Sequence, residues 1–267
     1  MPPPEMQTFT AIILAGQRAG AVDPLAEAAH VANKSLVPIA GRPLIAHVAE
    51  ALVATPGLIR LRIVAEPGVE LRLRTALPRG GPPIDYIPAS GNLADSVHAG
   101  AAGLTGPILV TTSDNVLLTP GAVRETLAAL ASADVAVALA TRAAVLAAHP
   151  DGQRRFYRFA DDAYSNCNLY ALAGPTSLKA AETFRSGGQF AKKPLRMILA
   201  LGPINLALML AGRLTLRDAF TRISRRLKLR VAPVVLADGA HAIDVDNART
   251  FACAEQLLLR RAASEAA

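Results

Sequence analysis

The feature that most constrains the fold is a short apolar run, Ala11–Leu14, which ends in a loop of small residues. The run has the length and β-branched content of a buried strand. Ala15 and Gly16 end it, and a glycine there lets backbone N–H groups approach an anion because no Cβ lies in the way. The stretch predicts an α/β domain with a phosphate-facing first loop, although such a glycine also occurs in loops that bind nothing.

Segments with strand character alternate with segments of helical spacing along the first half of the chain. The strand-like runs are Ile59–Ala65, Ile84–Ile87, Pro107–Thr112 and Asp134–Ala140. The helical segments between them are 44–53, 69–77, 93–103 and 121–132. This rhythm predicts a parallel sheet with right-handed crossovers. Further on we expect strands at 165–171 and 229–236, and helices at 176–184, 215–227 and 248–263.

Composition narrows the class of protein. Of the 267 residues 52% are hydrophobic, which is enough for a sizeable core, and tryptophan is absent. The two cysteines, Cys167 and Cys253, have no metal-binding spacing, so we expect inert thiols. The first residues, MPPPEMQ, have neither a basic nor an apolar signal region, so we expect a cytoplasmic protein.

The positive charge is concentrated in one segment. Residues 185–230 carry +10, whereas the whole chain carries +7, so the remainder carries −3. This distribution argues against a general nucleic-acid-binding surface and favours a local anionic partner. Within the segment, Lys192 and Lys193 follow a Gly187-Gly188 pair. They are either a solvated charge pair or a grip for an acceptor phosphate.

An uncharged stretch of sixteen residues, Met197–Gly212, lies inside this basic segment. It is shorter than the ~20 residues that span a bilayer, and Gly202-Pro203 interrupts it. We favour two buried helical pieces. The alternative is an apolar surface within residues 192–230 that contacts an anionic membrane leaflet or accepts a lipid-linked phosphate.

Acidic residues at two strand ends are candidate site residues. Asp114 follows the apolar strand 107–112, and open α/β sheets bind ligands at such carboxyl ends. It could also merely cap the next turn. Asp161 and Asp162 are adjacent, so their side chains point to opposite faces of an extended chain, and we interpret them as a solvated turn. His47, on a predicted helix, is interpreted as structural.

Three motifs occur in order. The first comprises Leu14-Ala15-Gly16, Arg18, Lys34 and Leu36–Pro43; the second is Ser113–Pro120; the third is Ile243–Asp246. Together they resemble the MobA-like NTP transferases, the class of the molybdenum-cofactor guanylyltransferases. The resemblance implies one three-layer, Rossmann-like (GT-A-like) α/β domain over residues 1–267 with a mixed central sheet. Residues 185–230 would form a helical, basic insertion.

The resemblance also implies roles for individual residues. The triphosphate of an NTP would be wrapped by Leu14, Ala15, Gly16, Gln17, Arg18 and Lys34, with Arg18 and Lys34 neutralising its charge. Gln17 departs from the family pattern, which has a second glycine there. Asp114 and Asp246 would hold Mg²⁺, assisted by Asp244. The nucleobase pocket would comprise Gly91, Asn92 and Ser96, of which Asn92 is equally explained as a helix cap. The acceptor would contact Asn168, Lys192 and Lys193.

The implied reaction is transfer of NMP from an NTP to a phosphorylated small molecule or lipid precursor, with release of pyrophosphate. GTP and CTP are the candidate nucleotides, and the oligomeric state is left open. One alternative is a nucleotide-sugar glycosyltransferase of related fold, which would normally show Asp-x-Asp where this chain has Ser113-Asp114-Asn115. The other is a non-catalytic nucleotide-binding regulator.

Overall fold

The computed structural model describes residues 7–17, 23–77, 80–184 and 203–265. Within these ranges the chain forms ten strands: β1 (Phe9–Leu14), β2 (Pro38–Ile39), β3 (Arg42–Pro43), β4 (Leu58–Ala65), β5 (Ile84–Pro88), β6 (Ile108–Thr112), β7 (Val135–Thr141), β8 (Tyr157–Arg158), β9 (Ala163–Leu172) and β10 (Val231–Leu236). The α-helices in the same ranges are α1 (Pro24–Ala28), α2 (Leu44–Val53), α3 (Glu70–Ala76), α4 (Leu93–Ala101), α5 (Pro120–Ala128), α6 (Arg142–Ala148), α7 (Pro203–Leu210), α8 (Leu216–Leu227) and α9 (Ala248–Glu265).

The main sheet of the described residues has the order β10-β7-β9-β6-β1-β4-β5, and β8 pairs with β9. β1 is parallel to β4 and β6, β4 to β5, and β7 to β10, whereas β9 is antiparallel to β6 and β7. The predicted mixed sheet is confirmed. Because six strands run the same way, their carboxyl ends share one edge, where the loops after β1, β4, β5 and β6 meet.

Alternating side chains of the strands face two different helical layers. Ile13 belongs to a core cluster with Leu44 of α2 and Val123 of α5. Its neighbour Ile12 belongs to a second cluster with Val97 of α4. Both isoleucines are fully buried. The three-layer architecture is therefore confirmed, and its cause is the period-two alternation of strand side chains between buried faces.

The structure gives the type of one predicted helix and corrects one other local prediction. The predicted helix at 176–184 is a 3-10 helix over Pro175–Phe184. Of the uncharged stretch Met197–Gly212, residues 197–202 lie outside the described residues, and α7 exposes Ile204 (70%) and Leu210 (77%). The prediction of a buried helix is wrong for the half that the structure describes. No described helix is long and apolar enough to cross a membrane.

α8 is amphipathic along its whole length. Its inward stripe begins with Leu216 and Ala219, both buried, and continues through Phe220, which packs on the sheet side chains. Its outer face carries exposed arginines at positions 217, 222, 225 and 226. The described part of the predicted helical, basic segment therefore has a helix that is apolar inside and cationic outside.

Candidate active site

The loop after β1 begins at the carboxyl edge of the sheet. Ala15 N–H donates to the Val64 carbonyl at 2.8 Å, which continues the pairing with β4. A Cβ added at Gly16 would lie 3.0 Å from the Cβ of Ala89, just after β5. The absence of a side chain at Gly16 therefore lets the loop after β1 approach the loop that carries Gly91 and Asn92.

Gln17, which stands where the family pattern has a second glycine, is held in place by the carboxylate of Glu66. The backbone N–H of Gln17 donates to Glu66, and its side-chain amide donates to the Ala32 carbonyl at 3.2 Å. The buried Asn33 amide donates to Glu66 Oε2 at 3.0 Å and to the Ala15 carbonyl at 3.1 Å. Glu66, which directly follows β4, was missed by the sequence analysis. Glu66 follows a strand end, as Asp114 does, and this position could have identified it as a candidate site residue.

Lys34 lies at the centre of the site. It begins a 3-10 segment, Lys34–Leu36, whose N-cap is the Asn33 side chain. Its ammonium Nζ lies 2.5 Å from Asp114 Oδ2 and 3.4 Å from Asp246 Oδ1. Burial by itself lowers the pKa of Lys34, but the charge and hydrogen bond of Asp114 and the charge of Asp246 outweigh it and raise that pKa. Lys34 is therefore a permanent cation between two acids.

The two acids are held in place by their own segments. Thr112 Oγ1 donates to Asp114 Oδ1 at 2.5 Å, and the hydroxyls of Ser35 and Ser113 lie 2.7 Å apart. The Val245 N–H donates to the Asp114 carbonyl at 3.1 Å, which ties the third motif to the end of β6. The Asp114 side chain is 15% exposed, whereas that of Asp246 is 56% exposed. The pair thus combines one fixed and one accessible carboxylate.

A third acid, Asp244, lies beside this pair. Its Oδ2 accepts a hydrogen bond from Asn168 Nδ2 at 2.7 Å, while its Oδ1 is sealed from solvent and has no hydrogen-bond partner in the described part of the chain. Burial, followed by the charges of Asp114 and Asp246, raises its pKa well above the usual range. The Asp244 carboxyl therefore favours binding of a proton or a cation.

Asn168 reaches Asp244 because β9 bulges. Tyr170 pairs with Val137, but the next pairing joins Asn166 to Leu139, so two additional residues of β9 oppose β7. Asn168 lies in the bulge with a φ of 46° and accepts from Asn166 Nδ2 at 3.1 Å. The Asn166 amide also contacts the Tyr170 hydroxyl. The bulge aims Asn168 at the acidic cluster.

Comparison with known proteins now decides the family. The model of the MobA-like NTP transferase domain matches residues 11–195, more than half of the chain. The chain belongs to the MobA-like NTP transferase family. It is therefore a nucleotidyltransferase, and the predicted family is confirmed. No curated protein matches its sequence significantly.

Several solved structures are similar in fold to this nucleotidyltransferase. A hypothetical transferase from Thermus thermophilus is 29% identical, with a TM-score of 0.75 over 92% of this chain and 100% of that one. The 4-diphosphocytidyl-2C-methyl-D-erythritol synthase of Anaerococcus prevotii is 13% identical, with a TM-score of 0.59 over 95% and 97%. A CMP:2-keto-3-deoxy-manno-octonic acid synthetase solved with CTP is 16% identical, with a TM-score of 0.58 over 95% and 99%.

In this nucleotidyltransferase the predicted base loop is stabilised by its own side chains. Asn92 caps α4 by accepting from the Asp95 N–H at 3.0 Å. Ser96 Oγ accepts from the Ser90 N–H at 3.0 Å. Among the described residues, no atom lies within 4 Å of a Cβ built at Gly91, so this loop is open on that side within the described part of the chain. Capping accounts for the Asn92 side chain, and base recognition stays a prediction.

The donor set fits a magnesium ion that is shared with a nucleotide. In the described ranges no three His, Cys, Asp or Glu residues form a ready metal cluster. Two carboxylates that converge on one cation suit Mg²⁺, which takes phosphate oxygens and water as its other ligands. Asp244 Oδ1, which has no hydrogen-bond partner within the described residues, is a further oxygen beside them.

The remaining predicted site residues are three cations, one after β1 and two in the basic segment. Arg18, Lys192 and Lys193 lie outside the described residues. Asp161 and Asp162 form the expected exposed turn, in which Asp162 accepts from the next N–H. Asn115, which follows Asp114, is a buried amide that donates to Thr111 and to the Cys167 carbonyl. The position after Asp114 therefore points into the core rather than into the site.

Proposed function

We propose that this nucleotidyltransferase moves NMP from an NTP, GTP or CTP, onto a phosphate-bearing acceptor in an Mg²⁺-dependent reaction in the cytoplasm. The observation that carries the proposal is the contact of Lys34 with both Asp114 and Asp246. These three residues come from distant parts of the chain and meet beside the glycine-containing loop after β1. One lysine and two carboxylates form the charge arrangement that a metal-bound triphosphate needs.

In the proposed reaction an oxygen of the acceptor phosphate attacks the α-phosphorus of the NTP. A new P–O bond forms, the bond to the bridging α–β oxygen breaks, and pyrophosphate leaves with that electron pair. Arg18 and Lys34 neutralise the charge that develops on pyrophosphate, and Asn168 orients the acceptor with Lys192 or Lys193. No covalent bond to the protein is required, because positioning and charge neutralisation can supply the catalysis.

Asp114 and Asp246 would hold Mg²⁺, which when bound polarises the phosphoryl oxygens. Lys34 contacts the same carboxylates, so its ammonium would also lie beside phosphate oxygens that share their metal ion. Asp244, held by Asn168, places a third carboxyl group behind the pair. The buried amide of Asn115 leaves one acid at the end of β6, which disfavours a glycosyltransferase of the Asp-x-Asp type.

The test is thermal denaturation with ATP, GTP, CTP and UTP, each with and without Mg²⁺, followed by pyrophosphate release from the nucleotide that binds. A ligand at a hundred times its dissociation constant adds about 2.7 kcal/mol of stability. We expect one base to stabilise the protein in an Mg²⁺-dependent way, and Asp114→Asn to abolish the effect.

Asp162→Asn is the matched control, because Asp162 is an exposed acid of the solvated turn. It should leave the nucleotide response unchanged. Stabilisation by a nucleotide sugar but by no NTP would refute the proposal in favour of glycosyl transfer. Nucleotide binding without any pyrophosphate release across a panel of phosphate acceptors would instead indicate a regulator.

A further inference from the structure

A large apolar cavity lies between the sheet and α8, on the face opposite to α2 and α5. Its volume is ≈ 210 Å³. Strand side chains form one wall and helix side chains the other, among them Val137, Leu139, Tyr170, Ala219, Phe220 and Ile223. Protein interiors are close-packed, and an apolar void of about 150 Å³ is known to hold benzene. A cavity larger than that has room for an apolar group of about eight carbon atoms.

Small side chains create this space. Ala180 and Ala181 of the 3-10 segment and Ala219 of α8 line the cavity, and all three are buried. Leucine or valine at any of them would occupy part of the volume. The cavity thus exists because the residues on its helical side are small, whereas those opposite them on β7 and β9 are larger.

The cavity meets the active site at two points. Leu14 lines it, and Leu14 directly precedes the Ala15-Gly16 loop. Asn166 also lines it, and its amide donates to Asn168, which in turn donates to Asp244. A chain of hydrogen bonds therefore runs from the cavity wall to the acidic cluster. A molecule with its apolar part in the cavity would have its polar end at Asn168, the proposed acceptor residue that the structure describes.

The charge outside the cavity suits an anionic amphiphile. α8 covers the cavity with its apolar stripe and exposes arginines at 217, 222, 225 and 226 on its other side. A cationic surface raises the local concentration of anionic ligands. The proposed reaction needs a phosphate on the acceptor, and the cavity accepts an apolar group. A molecule that fits both therefore combines an apolar part with a negative charge.

We infer that the acceptor of this nucleotidyltransferase is a single-chain amphiphile, a phosphate monoester whose apolar group of about eight carbons occupies the cavity under α8. The inference rests on the proposed function and specifies its acceptor. The cavity selects by apolar length, and the Asn166–Asn168 pair marks the boundary at which the polar end begins.

The experiment is calorimetric titration of the full chain, with Mg²⁺ present, using ethyl, butyl, hexyl, octyl and decyl phosphate below their micelle-forming concentrations. Each buried methylene should tighten binding about fourfold. The gain should stop at about eight carbons, where the cavity is full. Pyrophosphate release at a fixed low acceptor concentration should follow the same order.

Filling the cavity should shorten the preferred chain. Ala219→Leu adds three carbons, so we expect the gain to stop at about five carbons instead of eight. Ala181→Val adds two carbons and serves if the first variant fails to fold. Thr221→Leu, on the exposed side of α8, is the matched control and should leave the length dependence unchanged.

Affinity that is independent of chain length would overturn the inference, as would a length dependence that the cavity-filling variants leave unaltered. The same samples are titrated with GTP and CTP. If a nucleotide binds with Mg²⁺ but no length dependence exists, the amphiphile inference is wrong and the proposed function stands. If no nucleotide binds, the proposed function fails first, and the acceptor assignment fails with it.

Discussion

Lys34→Met tests whether the central ammonium is what holds the acidic cluster together. Methionine keeps the apolar stem of the side chain and removes only the charge. Asp114 would then keep its hydrogen bond from Thr112 but lose its cation while its side chain is only 15% exposed. Removal of one partner of a buried ion pair costs about 3–5 kcal/mol. Because Asp246 is 56% exposed and contributes less, we expect a loss of about 3 kcal/mol.

The assay is chemical denaturation at pH 7.5 in the absence of Mg²⁺ and nucleotide, with the melting temperature as a second measure. For a domain of this size a loss of about 3 kcal/mol corresponds to a decrease of about 6–12 °C. The double variant Lys34→Met, Asp114→Asn should recover most of the loss, because the uncompensated charge disappears with the carboxylate.

Arg154→Met is the control for a surface ion pair. Arg154 and Asp151 form such a pair at 3.6 Å, and their side chains are 69% and 61% exposed. Its loss should cost at most about 0.5 kcal/mol. The reasoning is refuted if Lys34→Met costs no more than this control, or if Asp114→Asn adds to the loss instead of reversing it.

Three further predictions concern the scaffold around the site. Burial lowers the pKa values of His47 and His241 below 6.5, so the unfolded chain binds more protons than the folded one near pH 6. Stability should be full above pH 6.5 and decline as the pH falls below it, and denaturation of the two His→Gln variants at pH 7.5 and 5.5 should show a smaller decline. Gly239→Ala should cost about 3 kcal/mol or more, because its Cβ would lie 2.2 Å from the backbone of α6. Gly91→Ala should be nearly neutral in thermal denaturation, because no atom of the described residues lies within 4 Å of its Cβ. Asn168→Ala should be about 1 kcal/mol less stable than Asn168→Gly in chemical denaturation, because both lose the bond to Asp244 but only alanine is strained at a φ of 46°; equal stabilities would show that the bulge relaxes.

The architecture could be predicted from local patterns because each pattern has a local cause. The apolar runs of β1, β6 and β7 and the helical spacing of α2 and α5 depend on neighbours within a few residues. The three motifs likewise indicated the family from the sequence alone, and the match to the family model confirmed it. The helix predicted at 176–184 is present, and the structure shows it to be of the 3-10 type.

Long-range contacts account for what the sequence analysis missed. Glu66 lies 49 positions from Gln17, and only the pairing of β1 with β4 brings the two together. The exposure of Ile204 and Leu210 on α7 depends on which segments pack against that helix, and its own sequence does not encode this. The cavity under α8 exists only because strand and helix side chains from segments spread between Leu14 and Val231 leave space between them.

The sequence by itself determined the strand–helix alternation, the three motifs, the family and the residue types that a nucleotide and a metal would need. These are encoded in short windows, where periodicity and turn chemistry act. Only the tertiary structure decided that Lys34 touches both Asp114 and Asp246, that a bulge turns Asn168 towards Asp244, and that the site adjoins an apolar cavity. The physical reason is that distances between residues 80 to 212 positions apart are set by strand order and layer packing, which no local pattern contains.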